Sequence, residues 1–324
     1  MRLHALLASI ALGVALCCPA RAEEQAELER PFSLDPFAPP RNAHFYSGLG
    51  QPLLRAAALP APGTLGVELR GGGTKTTFGA RNRFDGVFWE YARVELALVP
   101  LDWLEVWAAA RISGWDERRD VFRVAGVDPD SLVVEGELEK ATRGTATSRH
   151  ENLSEVSVGL QVIPVRTDWL ALGAGLQVKS PGFRRKDLTN SGTTDLAPFL
   201  SASIDLGPRL RLHLNAGAVI PLGRNWIAQD RAFELRPFFS GAVGITWAAT
   251  DWLSLGATLE GSSQAFEDVP LLGHGPIAGS VGARLSLGRF ELELGVGTGL
   301  SSHSADFLFW IEAGWRSRPL WSGD

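Results

Sequence analysis

Apolar residues alternate with polar or small residues along most of the chain that follows residue 63. In the stretch 253–260, which reads LSLGATLE, an apolar side chain occupies every second position. This period of two residues is that of a β-strand with two unlike faces. The pattern predicts twelve strands, at 64–73, 86–99, 103–113, 153–164, 169–179, 195–206, 209–220, 235–248, 252–263, 276–287, 290–299 and 306–317.

The connections between these strands alternate in length. Tight turns follow the even-numbered strands, and three of them carry the same Asp-Trp-Leu phrase, at 102–104, 168–170 and 251–253. Longer connections follow the odd-numbered strands, and the longest, 114–150, is rich in charged residues. An even strand number, with tight turns on one side and long loops on the other, is typical of bacterial outer-membrane barrels. The sequence therefore predicts an all-β fold, a transmembrane antiparallel up-and-down β-barrel of about 12 strands with both termini in the periplasm.

The residues before the barrel have a different character. Residues 1–22 are expected to be a signal peptide, because a basic residue precedes a short apolar run and Ala20-Arg21-Ala22 fits a cleavage site. Residues 23–62 are first acidic and then rich in proline, which is unfavourable for a central strand. We expect this segment to lie in the periplasm or to fold into the barrel as a plug, and the barrel to occupy 63–318.

Charge narrows the set of partners. The whole chain has 31 basic and 36 acidic residues. The signal peptide contains Arg2 and Arg21 and no acid, so the mature chain keeps 29 bases against 36 acids, a net charge of −7. No basic surplus remains for nucleic acid. The expected partners are outer-membrane lipid, lipopolysaccharide and the barrel assembly machinery, and the expected state is a monomer.

Charged residues at the polar positions of the alternating strands are expected to line the lumen. The residues expected to line the lumen are charged, apart from one histidine: Arg93, Glu95, Glu105, Arg111, Glu155, Lys179, Arg209, Arg211, His213, Arg236, Glu260, Arg284, Glu291, Glu293 and Glu312. When Arg70, Arg316, Glu68, Asp195 and Asp205 are included, the polar positions of the predicted strands carry nine bases and ten acids. Balanced charge indicates cross-strand ion pairs that fill much of the interior. The pattern fits a filled core as well as a narrow path for solutes.

By the alternation of the strands, the tryptophans of the repeated turns fall on the same face as the polar residues. Trp103, Trp169 and Trp252 are therefore predicted to narrow the periplasmic mouth of the lumen. Trp247 and Trp315 have the apolar parity and are the better candidates for an aromatic girdle in contact with lipid.

Candidate chemistry is sparse. The last outer loop, Ser302-His303-Ser304-Ala305-Asp306, has the residue types of a nucleophilic triad, but a triad is defined by geometry and no Gly-x-Ser-x-Gly elbow is present. His213 and Asn215 share the inward parity of one strand, which favours a packed interior histidine. The histidines show no metal-ligand spacing, and we expect no metal, no cofactor and no enzymatic activity. Arg184-Arg185-Lys186 suits lipopolysaccharide phosphates or a solvated loop.

Two stretches of the chain carry a family resemblance. Lys179-Ser180-Pro181-Gly182, followed by Leu188-Thr189-Asn190-Ser191-Gly192 and Asp195, resembles a family of uncharacterised bacterial outer-membrane β-barrels, and Ala305-Asp306-Phe307 also fits. Members of that family tend to have Pro-Thr-Gly where this chain has Pro181-Gly182. The resemblance implies a barrel fold and an outer-membrane location, and it brings no activity and no site residues.

Three functions are consistent with this barrel. The leading hypothesis is a narrow channel or transporter for small solutes in the outer membrane. The second is a filled barrel with a structural or surface-binding role through its outer loops. The third is an outer-membrane lipid-modifying enzyme that uses the loop histidine and serines.

Overall fold

A computed structural model describes residue 57 and residues 59–76, 87–116, 149–181, 193–223, 225–228, 231–233, 236–263, 275–301 and 307–321. The expected signal peptide, most of the long loop 114–150, the basic cluster 184–186 and the sequence 302–306 lie outside the described residues. In the described ranges, no helix is long and apolar enough to cross a membrane.

Twelve strands close into one antiparallel barrel in which chain neighbours pair and the first strand pairs with the last. They are β1 (Leu65–Thr76), β2 (Val87–Leu101), β3 (Leu104–Asp116), β4 (Arg149–Arg166), β5 (Leu170–Pro181), β6 (Asp195–Gly207), β7 (Leu210–Pro221), β10 (Phe238–Ala248), β11 (Leu253–Ser262), β12 (Ile277–Leu287), β13 (Phe290–Gly299) and β14 (Phe307–Arg316). The predicted fold class is confirmed. The predicted bounds differ by up to four residues at most strand ends, with the largest difference at the start of β4.

A second small sheet interrupts one connection. The connection between β7 and β10 contains a two-stranded antiparallel hairpin, β8 (Asn225–Ala228) and β9 (Arg231–Phe233). The sequence did not predict this hairpin, because strands of four and three residues are too short to show an alternating pattern. The hairpin lies outside the barrel sheet.

Side-chain burial alternates along the barrel strands. In β6, Phe199 and Ser201 are buried, whereas Pro198 and Leu200 between them are exposed. The wall is a single sheet, so a buried side chain points into the barrel and an exposed apolar one points out. Exposed apolar residues on many strands form the outer face, among them Val94, Leu96, Val158, Leu172, Val243, Leu259, Val281, Leu294 and Ile311. An apolar outer band is what contact with lipid requires.

The two chain ends of the described barrel meet at one end. We call the end with the tight turns after β2, β4, β6, β10 and β12 the turn end, and the opposite end the loop end. At the turn end, Gly63 donates from N to Val99 O at 2.7 Å and accepts from Leu320 N at 2.9 Å. Gly63 has φ 81°, and a Cβ there would lie 2.9 Å from the carbonyl oxygen of Trp321, so only glycine fits. That this end faces the periplasm stays a prediction.

Candidate functional site

The interior of the barrel is the candidate site, and buried ion pairs dominate one part of it. Arg284 of β12 donates from Nε to Glu293 Oε2 of β13 at 3.0 Å. The other oxygen of Glu293 accepts the Trp310 Nε1 hydrogen at 2.9 Å. Arg70 of β1 donates to Glu312 of β14 at 2.6 Å, across the seam where the last strand closes on the first. These contacts join neighbouring strands from inside the barrel.

Further pairs lie at other levels of the barrel. Lys179 Nζ lies 2.6 Å from Asp195 Oδ2 near the loop end, and both side chains are almost fully buried. Arg211 pairs with Asp205 near the turn end, where both remain partly exposed. Arg93 donates to Glu95 at 2.7 Å along β2. The prediction that ion pairs bridge the inner wall agrees with these contacts.

Aromatic side chains lie flat over glycines on neighbouring strands. A Cβ on the glycine would overlap the aromatic ring in each of four cases: Tyr91 over Gly72, Trp107 over Gly159, Phe199 over Gly175 and Trp310 over Gly295. Trp107 and Phe199 also contact each other, with ring centroids 6.2 Å apart. All four aromatic residues are buried. Their rings therefore thicken the wall and fill space that a channel would otherwise leave open.

The wall formed by β10, β11 and β12 has a different lining. The inward positions of these three strands are occupied mainly by glycine, alanine, serine and threonine, with Phe238, Glu260 and Arg284 as the exceptions. By contrast, β1 to β4 carry the large side chains Arg70, Tyr91 and Trp107 together with further charged residues. The interior is thus bulky and charged on one side and small and mostly neutral on the other.

The segment before β1 crosses the turn end of the barrel. Ala57 is fully buried, and its N–H donates to Ser203 Oγ at 3.1 Å. Ser203 belongs to β6, five strands away from β1 in a ring of twelve. Ala57 belongs to a cluster of buried apolar residues that also contains Leu59, Val99, Ile163 and Ala171. A chain of six residues reaches up to about 20 Å when extended, so this segment covers part of the opening.

Five turn residues occupy equivalent places on the rim of the turn end. In each, the backbone oxygen accepts an N–H from the next strand: Trp103 from Ile163, Trp169 from Asp205, Arg209 from Ala248, Trp252 from Ser286 and Arg289 from Arg316. The five partners lie at inward positions of their strands, so the backbone register is compatible with inward-facing tryptophans. Their rings are about half exposed, at 47%, 58% and 53%. That they narrow the mouth stays a prediction.

The predicted lumen residues fall into three groups. Ten of them are buried, namely Arg93, Glu95, Glu105, Glu155, Lys179, His213, Glu260, Arg284, Glu293 and Glu312. Arg111, Arg211 and Glu291 are half-buried. Arg209 and Arg236 are exposed and stand at strand ends, where Arg209 donates to Ala249 O at 3.0 Å. The near balance of nine bases and ten acids therefore does not describe the interior, which carries seven bases against ten acids.

His213 is packed inside the wall, as its parity predicts. It is fully buried, and its Nδ1 lies 3.1 Å from Ser203 Oγ. Because Ser203 Oγ also accepts the Ala57 N–H, the histidine supports the residue that holds the N-terminal segment. Sequence reasoning missed Ser203 and Ala57, since a serine among small inward residues and an alanine in a proline-rich stretch give no pattern. Within the described residues, no group of three or more His, Cys, Asp or Glu side chains could hold a metal ion.

This arrangement defines the chain as an outer-membrane-type β-barrel, and similar solved structures have that fold. The COG4313 outer-membrane channel from Pseudomonas putida F1 is 12% identical, with a TM-score of 0.61 over 80% of this chain and 97% of that one. The NanC porin (8% identity, TM-score 0.48) and the KdgM porin (8% identity, TM-score 0.45) each cover 77% of this chain and 98% of their own. No family model and no curated protein matches the sequence.

Proposed function

We propose that this protein is a narrow channel for small solutes in the outer membrane, surrounded by lipid as a monomer. The observation that carries the proposal is a closed barrel with an apolar outer face and a polar interior that is only partly bridged by ion pairs. A twelve-stranded barrel lies between the small barrels that side chains fill and the large ones that leave an open pore. The similarity to the COG4313 channel supports the fold that such a channel needs.

The proposed channel is constricted at two places: at the turn end, and deeper in the barrel beside Trp107 and Phe199. The described part of the N-terminal segment occupies part of the turn end, and the Ala57 N–H donates a hydrogen bond to Ser203 Oγ of β6. Deeper inside, Trp107 and Phe199 lie against the wall and reduce the free cross-section. These features favour the passage of small solutes over large ones.

The interior charge favours cations. The described inward positions carry ten acids against seven bases, a net charge of −3. A low-dielectric wall focuses this field along the lumen and raises the local concentration of cations. We therefore expect potassium to carry more current than chloride.

Electrical recording in planar bilayers tests the proposal directly. The folded full-length protein is expected to give discrete conductance steps, and a gradient of potassium chloride is expected to give a reversal potential of the cation-selective sign. A folded barrel that gives neither current nor solute flux would contradict the channel.

The second candidate, a filled structural barrel, rests on the same buried network. Glu293, Trp310 and Arg284 are nearly inaccessible, and such packing also suits a barrel that conducts nothing. Liposome swelling separates the two functions, because a filled barrel leaves vesicles impermeable to uncharged solutes of every size. The channel predicts swelling that falls steeply as the solute becomes larger.

A further inference from the structure

A recess on the outer face of the barrel, which we call the outer trough, extends from β5 to β12. Its volume is about 610 Å³. Its lining is mostly apolar and includes exposed side chains that point away from the lumen, among them Leu172, Leu200, Val243, Leu259 and Ile277. The outer trough is therefore a cavity in the face that meets lipid, and it is separate from the interior described above.

Small residues form the floor of the outer trough. Ala216 of β7 pairs with Gly241 of β10, and Gly241 pairs with Gly261 of β11, all three at outward positions. The same row continues to Leu200 of β6 at one end and to Ile277 of β12 at the other. Three neighbouring strands thus carry almost no side chain on the outside, between two larger apolar residues.

Larger side chains border this floor. The next outward positions toward the turn end are Leu214, Val243 and Leu259, which pair with one another across the same three strands and form a continuous ridge. Toward the loop end, Phe239 stands beside Gly241 on β10 and is 72% exposed. The floor and its borders together make an elongated groove that runs across the strands.

The outer trough has the length and depth of one lipid leaflet. From Leu200 to Ile277 it crosses four strand-to-strand steps, which is about 19 Å at roughly 4.8 Å a step. Leu200 is the sixth of the 13 residues of β6, whereas Ile277 is the first residue of β12 at the loop end. With barrel strands tilted by about 40°, a line across them rises by about 12 Å. Half of a hydrocarbon core is about 15 Å.

An acyl chain is the occupant that this shape and polarity favour. An apolar cavity does not hold ordered water, and the outer trough continues the apolar outer face that contact with lipid requires. Because lipid tails are as apolar as leucine, a chain is retained there by close packing and not by the hydrophobic effect. A chain on the floor touches protein below and on both sides, and its many weak contacts add up.

We propose that the outer trough holds one acyl chain of lipid A, the membrane anchor of lipopolysaccharide. The groove opens at the loop end, which the lengths of the connections predict to face the cell exterior, where lipopolysaccharide forms the leaflet. The inference rests on the outer-membrane location and orientation that belong to the proposed function, but it does not depend on conduction. It assigns a retained lipid to a site in the wall.

Native mass spectrometry tests the proposal with a matched pair of variants. The full-length barrel in detergent is incubated with equal amounts of lipid A and phosphatidylethanolamine, and the mass of the retained lipid identifies it. The wild type is expected to keep one lipid A. A216L places a leucine on the floor and should lower retention about tenfold. A110L makes the same change at an exposed outward position of β3, away from the groove, and should retain lipid A like the wild type.

A second variant guards against a folding defect. Gly241→Val fills the neighbouring floor position, and folding of every variant is checked by its mobility in unheated gels. Retention that is unchanged in A216L and G241V, lost equally in A110L, or specific for phosphatidylethanolamine would overturn the lipid A site. Because no flux is measured, a barrel that keeps lipid A but carries no current would refute the channel alone. A conducting barrel without the adduct would refute the lipid A site alone.

Discussion

Glu293 is the residue whose loss should destabilise the barrel most among the described ion pairs. Its two oxygens serve two neighbours: one accepts from Arg284 and the other from Trp310, at 3.0 Å and 2.9 Å. Replacing Glu293 with alanine leaves a buried guanidinium without this carboxylate. Breaking a buried pair in this way costs about 3–5 kcal/mol, and an unbonded indole N–H adds about 1 kcal/mol or more. We expect a total loss of roughly 5 kcal/mol.

Glu291 provides a matched control on the same strand and the same face. Its partner Arg316 lies 3.5 Å away, and the two side chains are more accessible than those of Arg284 and Glu293. Replacing Glu291 with alanine should therefore cost less than replacing Glu293 with alanine. The variant E293Q separates the two contacts of Glu293, because the amide oxygen still accepts the indole hydrogen of Trp310 while the charge is lost.

Reversible unfolding by urea in phospholipid vesicles measures these differences. With a slope of about 1–3 kcal/mol per molar urea, a loss of roughly 5 kcal/mol moves the midpoint down by more than about 1.5 M. We expect the order wild type, E291A, E293Q and then E293A, from most to least stable. Equal midpoints for E291A and E293A would refute the assignment of Glu293 as the centre of a buried network.

Three further predictions concern packing, the N-terminal segment and charge. Gly295→Ala places a methyl group against the ring of Trp310 and should cost about 1–3 kcal/mol, whereas Gly241→Ala meets only a carbonyl oxygen at 3.4 Å and should cost less than about 1 kcal/mol in the same urea assay. Ser203→Ala removes the hydrogen bond that the Ala57 N–H donates to the Ser203 hydroxyl and should raise the mean single-channel conductance, and an unchanged conductance would show that the segment does not limit flow. Cation selectivity should weaken between 0.1 M and 1 M salt, where the screening length falls from about 10 Å to about 3 Å, and a constant reversal potential would argue against the interior charge as its source.

Most of the barrel could be predicted because its two faces meet different surroundings. Lipid outside and polar contacts inside impose an alternation of period two on every strand, and twelve such runs are visible in the sequence. In two of the three Asp-Trp-Leu turns, a threonine before the phrase holds the turn locally: the Thr167 and Thr250 hydroxyls accept the backbone N–H of Leu170 and Leu253. Among the described strands, only the short hairpin β8–β9 was not predicted, since strands of three or four residues are too short to show a period.

The candidate site was less predictable because it depends on contacts between distant strands. Parity identified Glu293 and Arg284 as inward residues, but it could not show that Trp310 shares the same carboxylate. It also placed Arg209 and Arg236 in the lumen, although both stand at strand ends and are exposed. Alternation does not tell where a strand ends, and an error of two or three residues there moves a charge from the interior to the rim.

The charged residues that are most visible in the sequence join neighbouring strands of the barrel wall. Arg70 and Glu312 join β1 to β14, and Arg284 and Glu293 join β12 to β13, so these pairs hold together the part of the wall where the barrel closes. A guanidinium and a carboxylate in contact compensate each other and leave little affinity for a passing solute.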